Sequence, residues 1–199
     1  MRISCFTGGM VATNGYLIET GDGNFLVDAP EGICAWVREK GVRVDAVYLT
    51  HQHYDHVEDI RLLQENRVRV FAWAQYSKEL TLEAYAAHVP MVKPYLVDNL
   101  LRIGEQSLFG GKATRVCHVP GHSPDSLIFY IQETEVVFAG DALFAGSVGR
   151  CDLPGGSLEL LLEGIRREIL VLPDETRVLA GHGPETTVGV ERDGNGYLM

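Results

Sequence analysis

The sequence is poor in cysteine, in basic residues and in long apolar runs, and each shortage excludes something. Its four cysteines, Cys5, Cys34, Cys117 and Cys151, are scattered and include no Cys-x-x-Cys pair. That spacing builds neither a zinc ribbon nor a disulfide framework, so free thiols in a reducing compartment are the expectation. Cys117 and Cys151 flank candidate site segments and are the two where oxidation would matter. Lys and Arg number 17 against 27 Asp and Glu, a net charge of −10. Nucleic acid and anionic membranes both need a basic footprint, so neither is an expected partner. No apolar run approaches the length of a membrane span. The first residues, Met1-Arg2-Ile3-Ser4-Cys5-Phe6, lack the apolar core and cleavage pattern of a signal peptide; a cytoplasmic location is the expectation. No linker, low-complexity segment or short-period repeat interrupts the chain. With 46% hydrophobic and 22% charged residues, residues 1–199 are expected to form one globular domain.

Against this background one stretch stands out, Thr50-His51-Gln52-His53-Tyr54-Asp55-His56. It follows the apolar run Val44-Asp45-Ala46-Val47-Tyr48-Leu49, so a strand delivers three imidazoles and a carboxylate to its C-terminal tip. Imidazole nitrogen and carboxylate oxygen suit zinc, iron and manganese. This spacing predicts a metal site.

Taken in order, the chain predicts strands over 2–6, 15–20 and 25–27, separated by Gly-rich turns. A helix is expected over 31–40, with Gly41 as its C-cap, then the strand 44–49 that feeds the cluster. A helix over 57–65, a strand over 68–72 and a helix over 75–87 follow. Strands are expected at 95–97, 100–103, 106–109, 112–118, 126–131 and 135–139. The clearest later helix is 158–170, ended by Pro173, before a last strand at 177–180. Strands, helix, strand and helix recur roughly twice, which fits two packed sheets flanked by helices.

Four donors in one loop cannot fill two coordination spheres, so further donors belong at other strand tips. His118 ends 113–117, Asp141 follows 136–140, and His182 follows 178–181. Gly140 and Gly181 allow a tight backbone approach just before two of them. His122, after Pro120-Gly121, reads as a loop brace behind the ligands. His88 reads as a surface residue or helix end.

Thr50-His51-x-His53-x-Asp55-His56, the loop His118-Val119-Pro120-Gly121-His122-Ser123-Pro124, Gly140-Asp141 and Gly181-His182-Gly183-Pro184 together resemble the metallo-β-lactamase-fold superfamily over essentially the whole chain. The resemblance implies an α+β fold, a four-layer αβ/βα sandwich of two mixed sheets flanked by helices, with metals at their common edge. It implies a first ion on His51, His53 and His118, a second on Asp55, His56 and His182, and Asp141 bridging. Two divalent ions are expected, zinc first, with iron or manganese as alternatives. The segment 140–156 and the tail 191–198 are similar to short glyoxalase II-like hydrolases, which cleave S-D-lactoylglutathione. The Gly-Arg-x-Asp part of that segment also resembles persulfide dioxygenases, which use one iron. True β-lactamases lack the bridging Asp pattern. Two departures stand out: the C-terminal helical domain that supplies much of the glutathione contact in full-length glyoxalase II is not expected here, and Asp125 stands where the family usually has Gly.

Two neighbouring divalent ions lower the pKa of a shared water towards neutrality. With the glyoxalase II-like resemblance, this implies a metal-dependent thioesterase acting on a small-molecule thioester through metal-bound hydroxide as the leading expectation. Asp55 and Asp141 would orient the nucleophile and count as catalytic. Asp28 would brace the metal loop from behind. Arg150, with its planar fork, could take a substrate carboxylate or pair with Asp152, and Tyr54 could line the pocket. A mononuclear iron persulfide dioxygenase is the alternative, because it shares the same ligand types. A metal-stabilised binding module is disfavoured, since a structural zinc needs only four ligands.

Overall fold

Strands β2 (Thr13–Thr20) and β3 (Gly23–Val27) carry apolar side chains on both faces, which only a sheet covered on both sides permits. Leu17 and Leu26 point into one buried cluster, while Tyr16, Ile18, Phe25 and Val27 point into another. The computed structural model describes residues 1–85 and 89–199. Within them β2 and β3 lie in a six-stranded sheet ordered β1-β2-β3-β4-β5-β6, completed by β1 (Arg2–Gly8), β4 (Ala46–Tyr48), β5 (Arg69–Ala72) and β6 (Asn99–Leu100). The first three strands are antiparallel and the last three join in parallel. Helix α1 (Ile33–Glu39) and the short helices α2 (Tyr54–Val57) and α3 (Ile60–Glu65) cover its outer face through Ile33, Val37, Val57, Ile60 and Leu63.

The second sheet repeats the plan. Its order is β14-β13-β10-β9-β8-β7, from β7 (Gly104–Leu108), β8 (Lys112–His118), β9 (Leu127–Ile131), β10 (Val136–Gly140), β13 (Arg177–Ala180) and β14 (Thr186–Thr187). Strands β10 and β13 pair in parallel and the rest antiparallel. Between the sheets lies an aromatic-rich core that includes Tyr16, Tyr48, Phe109, Phe129 and Phe138. Outside the second sheet, α4 (Leu158–Glu168) and α5 (Val188–Gly194) add Leu161, Ile165 and Val188 to a third cluster. Three buried clusters between four layers make the αβ/βα sandwich expected from the sequence. No helix among the described residues is long and apolar enough to cross a membrane.

Most elements fall where the sequence places them, with shifts of a few residues. The helix expected over 57–65 is two short helices, split at Glu58-Asp59. The helix expected over 75–87 is not one: residues 73–85 are bends and turns, and Leu82 takes a left-handed φ of 68°. Residues 86 and 87 lie outside the described residues, as does His88. The strand expected over 95–97 is irregular, and that over 100–103 survives only as Leu100 in β6. Helix α5 and the hairpin of β11 (Leu143–Phe144) and β12 (Ser147–Val148) were not expected.

Candidate metal centre

The donor residues gather at one edge because β3, β4, β10 and β13 all deliver their C-terminal ends there. Asp28 ends β3 in the left-handed region, at φ 59°. From that turn its Oδ1 accepts the Thr50 backbone N–H at 2.8 Å, and its Oδ2 accepts the Thr50 hydroxyl at 2.7 Å. The same Oδ2 accepts the Nδ1–H of His56 at 2.8 Å. One buried carboxylate thus fixes both the start and the end of the His51–His56 loop.

The second sheet is laced to the first at this edge. The Asn14 backbone N–H donates to the Gly181 carbonyl at 2.7 Å, and the Leu127 N–H donates to the Thr50 carbonyl at 2.7 Å. The Tyr16 hydroxyl donates to the Ala180 carbonyl at 2.6 Å. Gly181 has no room for a side chain: a Cβ there would lie 2.1 Å from Asp141 Oδ1 and 2.7 Å from the His56 ring. A Cβ on Gly140 would lie 2.6 Å from the Thr50 hydroxyl oxygen.

Three groups of donor atoms, each within 4.8 Å of one another, result: His51, His53 and His122; His51, His56 and Asp141; and Asp55, His56 and His182. Asp141 lies between them. Its Oδ2 is 3.4 Å from both His122 Nε2 and His182 Nε2, and its Oδ1 is 3.3 Å from His56 Nε2. Asp55 Oδ2 is 3.3 Å from His182 Nε2 and accepts the Thr13 hydroxyl at 2.6 Å.

One expectation is corrected here. His118 is not in the cluster, and His122 is. As the last residue of β8, His118 turns to stack on Trp73 with ring centroids 4.7 Å apart, and its Nε2–H donates to the Pro124 carbonyl at 2.8 Å. Four residues later the loop has turned back through Gly121 (φ 133°), anchored by the Ser157 N–H on the Gly121 carbonyl at 2.8 Å. His122 then sits 4.5 Å from the ring of His53 and 5.0 Å from that of His51. It is among the donors, not a brace behind them.

The tautomers are set for metal binding. The Nδ1–H of His122 donates to the Arg150 carbonyl at 2.9 Å, and that of His182 to the Val11 carbonyl at 3.2 Å. With His56 held by Asp28, three rings present Nε2 to the centre, the arrangement that orients metal-binding histidines. His51 Nε2, His56 Nε2, His122 Nε2 and Asp141 Oδ1 are buried without a hydrogen-bond partner. Buried polar atoms of a folded protein are normally paired, and four orphans converging on one point fit divalent cations.

In the ion-free chain, burial pushes the imidazoles of His51, His53 and His122 down, His53 to about 3. Burial also opposes charge on Asp55, but His56 and hydrogen bonds from His182 and Thr13 outweigh it and hold the carboxyl at about 2. Asp141 is likewise buried yet driven well below the carboxylate range by His56 and His182. Against its own burial, His182 rises to about 10 through Asp141 and Asp55. His56 rises too, with burial overcome by Asp55, Asp141 and Asp28. Two protons therefore sit among the carboxylates where cations would go.

Five of the donors, His53, Asp55, His122, Asp141 and His182, line the floor of a cleft of about 710 Å³. Met10 and Val11 wall it on one side, and Leu82, Val89 and Pro90 on another. Phe144, Ser147 and Val148 of the β11–β12 hairpin close the third side with Leu153. Tyr54 and Arg150 also line it, where the sequence suggested substrate contacts. Arg150 is already engaged, its Nε and Nη2 each donating to Asp152 at 2.8 Å. Asp125, the family departure, is buried and accepts from Ser123 Oγ at 2.6 Å and Gln52 Nε2 at 3.2 Å. It ties the loop carrying His122 to the residue between His51 and His53. Cys117 is buried, and burial with Glu168 beside it pushes its thiol up to about 12, so it carries no thiolate.

The family model described as the Metallo-beta-lactamase superfamily matches residues 8–182. The chain is 34% identical over 198 residues to a probable metallo-hydrolase, YqgX, of Bacillus subtilis, covering 96% of this chain and 94% of that protein. It is 33% identical over 169 residues to the hydroxyacylglutathione hydrolase GloC of Haemophilus influenzae, covering 81% and 79%. Among solved structures it is similar to the BLEG-1 B3 metallo-beta-lactamase (TM-score 0.91, 32% identity, all of both chains). It is also similar to TTHA1623 in a di-iron-bound form (0.87, 40%, 98% and 100%) and to ETHE1 from Myxococcus xanthus (0.78, 25%, 98% and 84%).

Proposed function

The chain belongs to the metallo-beta-lactamase superfamily, and from that premise we propose that it is a metal-dependent thioesterase. The observation that carries this reading is the set of orphaned Nε2 and carboxylate atoms converging on the floor of an open cleft. His51, His53 and His122 would hold one divalent ion, Asp55, His56 and His182 a second, with Asp141 shared. When bound, such ions lower the pKa of a shared water and draw charge from a substrate carbonyl oxygen.

The chain's own residues prepare the rest. Asp28 keeps the proton of His56 on Nδ1, so that Nε2 stays free to act as a donor. Thr13 occupies one lone pair of Asp55, which directs the remaining lone pairs into the centre. Met10, Val11 and Phe144 line the cleft above the donors and give a substrate an apolar surface to rest on. A thiolate leaves without an acid, because a thiol has a pKa of about 8.5, whereas an amide nitrogen needs a proton. Beyond the donors, Tyr54 is the one lining side chain with a titratable proton among the described residues other than Arg150, and burial with Asp55 and Glu58 pushes it up. That cleft suits a thioester better than an amide. The likeness to GloC, named a hydroxyacylglutathione hydrolase, supports the same class.

The likeness to ETHE1 favours a second reading, an iron-dependent persulfide dioxygenase. Metal content of protein purified without added metal or chelator, followed by thiol release from S-D-lactoylglutathione and simpler thioesters, separates the two. About two ions per chain with thiol release supports the hydrolase. About one iron, with oxygen uptake on glutathione persulfide and no thiol release, overturns it. Hydrolysis of a β-lactam in preference to every thioester, as the likeness to BLEG-1 would allow, also overturns it.

A further inference from the structure

The cleft above the donors is built for an uncharged guest. Met10, Val11, Leu82, Phe144, Val148 and Leu153 supply most of its wall, and they come from three separate segments. Met10 and Val11 stand at the rim 78% and 46% exposed, and Met91, next to Pro90, is 87% exposed. Large apolar side chains held in water around a functional cleft mark a surface that a ligand covers. Charge on these walls is scarce. Apart from the donors, Arg150 is the one charged side chain among the described lining residues, and its Nε and Nη2 each donate to Asp152.

Glutathione carries two carboxylates and an ammonium besides its sulfur. Drawn into this cleft, its two carboxylates would lose water and meet, among the described lining side chains outside the donors, one cation already shared with Asp152, which is costly. The chain's net charge of −10 makes the approach worse. A linear alkyl arm loses nothing there and gains with each methylene buried. Resting on the thioesterase reading, we propose that the preferred substrate is a thioester with an apolar, uncharged arm lying against Met10, Val11 and Leu153, and that glutathione thioesters are poor substrates.

Uncleavable thioethers test the preference apart from the chemistry. On metal-loaded protein, calorimetry with S-hexyl-N-acetylcysteamine and S-methylglutathione should show the hexyl thioether bound at least about tenfold more tightly. Met10→Lys, on an exposed turn, should narrow that gap at least about threefold without lowering the melting temperature. Equal or tighter binding of S-methylglutathione to the wild type overturns the proposal, as does a Met10→Lys protein with an unchanged gap. Turnover of the matching thioesters is measured alongside. Retained apolar binding without turnover of any thioester removes the thioesterase reading and supports the apolar preference of the cleft. Turnover that favours S-D-lactoylglutathione removes the preference and supports the thioesterase.

Discussion

His118 and His122 are four residues apart, and their exchange of roles shows what decides a metal ligand. His118 has the more obvious address, at the end of a strand, but its pairing with Leu127 turns the ring towards Trp73. His122 follows Gly121, as Asp141 follows Gly140 and His182 follows Gly181. Three donors preceded by glycine are a readable pattern, because each must come in where a Cβ on the preceding residue would strike its neighbours, as at Leu161 and Ser157 for Gly121. His122→Ala should cut bound metal by about half, since a site reduced to two imidazoles binds poorly. His118→Ala should leave the metal count unchanged and cost about 1 kcal/mol of stability, which elemental analysis and urea melts can check together. The other donors were legible at once, because His51, His53, Asp55 and His56 crowd one loop. Asp28 was legible only through the family resemblance. Its Asn variant keeps the left-handed turn but has one acceptor oxygen, so it cannot accept the Thr50 N–H at one position and Thr50 Oγ1 with His56 Nδ1 at the other. We expect chelator competition to show Asp28→Asn binding metal about 10–100-fold more weakly.

Elements with strong periodicity were legible, and those held by tertiary contacts were not. Helix α4 has an apolar stripe and an N-cap, Ser157 accepting the Leu160 N–H at 3.4 Å. Helix α5 begins Val188-Gly189-Val190, a poor helical sequence. It forms because Thr187 caps it and because Glu191, 1% exposed, is held from three sides. That carboxylate accepts from the Thr186 hydroxyl at 2.7 Å, the Gly146 N–H at 2.9 Å and Asn195 Nδ2 at 2.8 Å. Gly146 is the turn of the β11–β12 hairpin, so Glu191 pins one wall of the cleft from behind. Glu191→Ala should cost about 2–4 kcal/mol and raise KM more than it lowers kcat, since the wall loosens while the donors stay. The segment 75–85 misled for the opposite reason: Leu80, Leu82 and Ala84 hint at a helix. There the Ser77 hydroxyl accepts the Leu80 N–H and Leu82 turns left-handed, so the backbone is spent on turns.

At the scale of the whole molecule, the four layers were legible from strand and helix order, since two apolar-faced sheets have few other ways to be covered. The site's charge balance is a whole-molecule property too, because it couples stability to pH in opposite senses with and without metal. In the ion-free chain His182 is raised to about 10, so its stabilisation is full below the ordinary imidazole range and is lost as pH rises through that value. Asp55, held at about 2, stabilises above the ordinary carboxylate range and loses this as pH falls towards 2. Metal must displace the protons on His56 and His182, so its binding strengthens as pH rises. Melting temperatures in chelator should therefore fall between pH 6.5 and 10, while the gain produced by added zinc should grow over the same interval. A zinc gain that is flat with pH would contradict the proton exchange.

The two sheets divide the chain cleanly: residues 2–100 supply one and residues 104–187 the other, with no strand exchanged between them. The donors divide at the same place, His51, His53, Asp55 and His56 before it and His122, Asp141 and His182 after it. On a ribosome, then, the first half emerges with a four-donor loop that no second sheet yet completes. It must wait for the second sheet, since His122, Asp141 and His182 all come from that half, His182 just after β13. No donor group is complete until both halves have docked, so metal capture would itself signal that the two sheets have met.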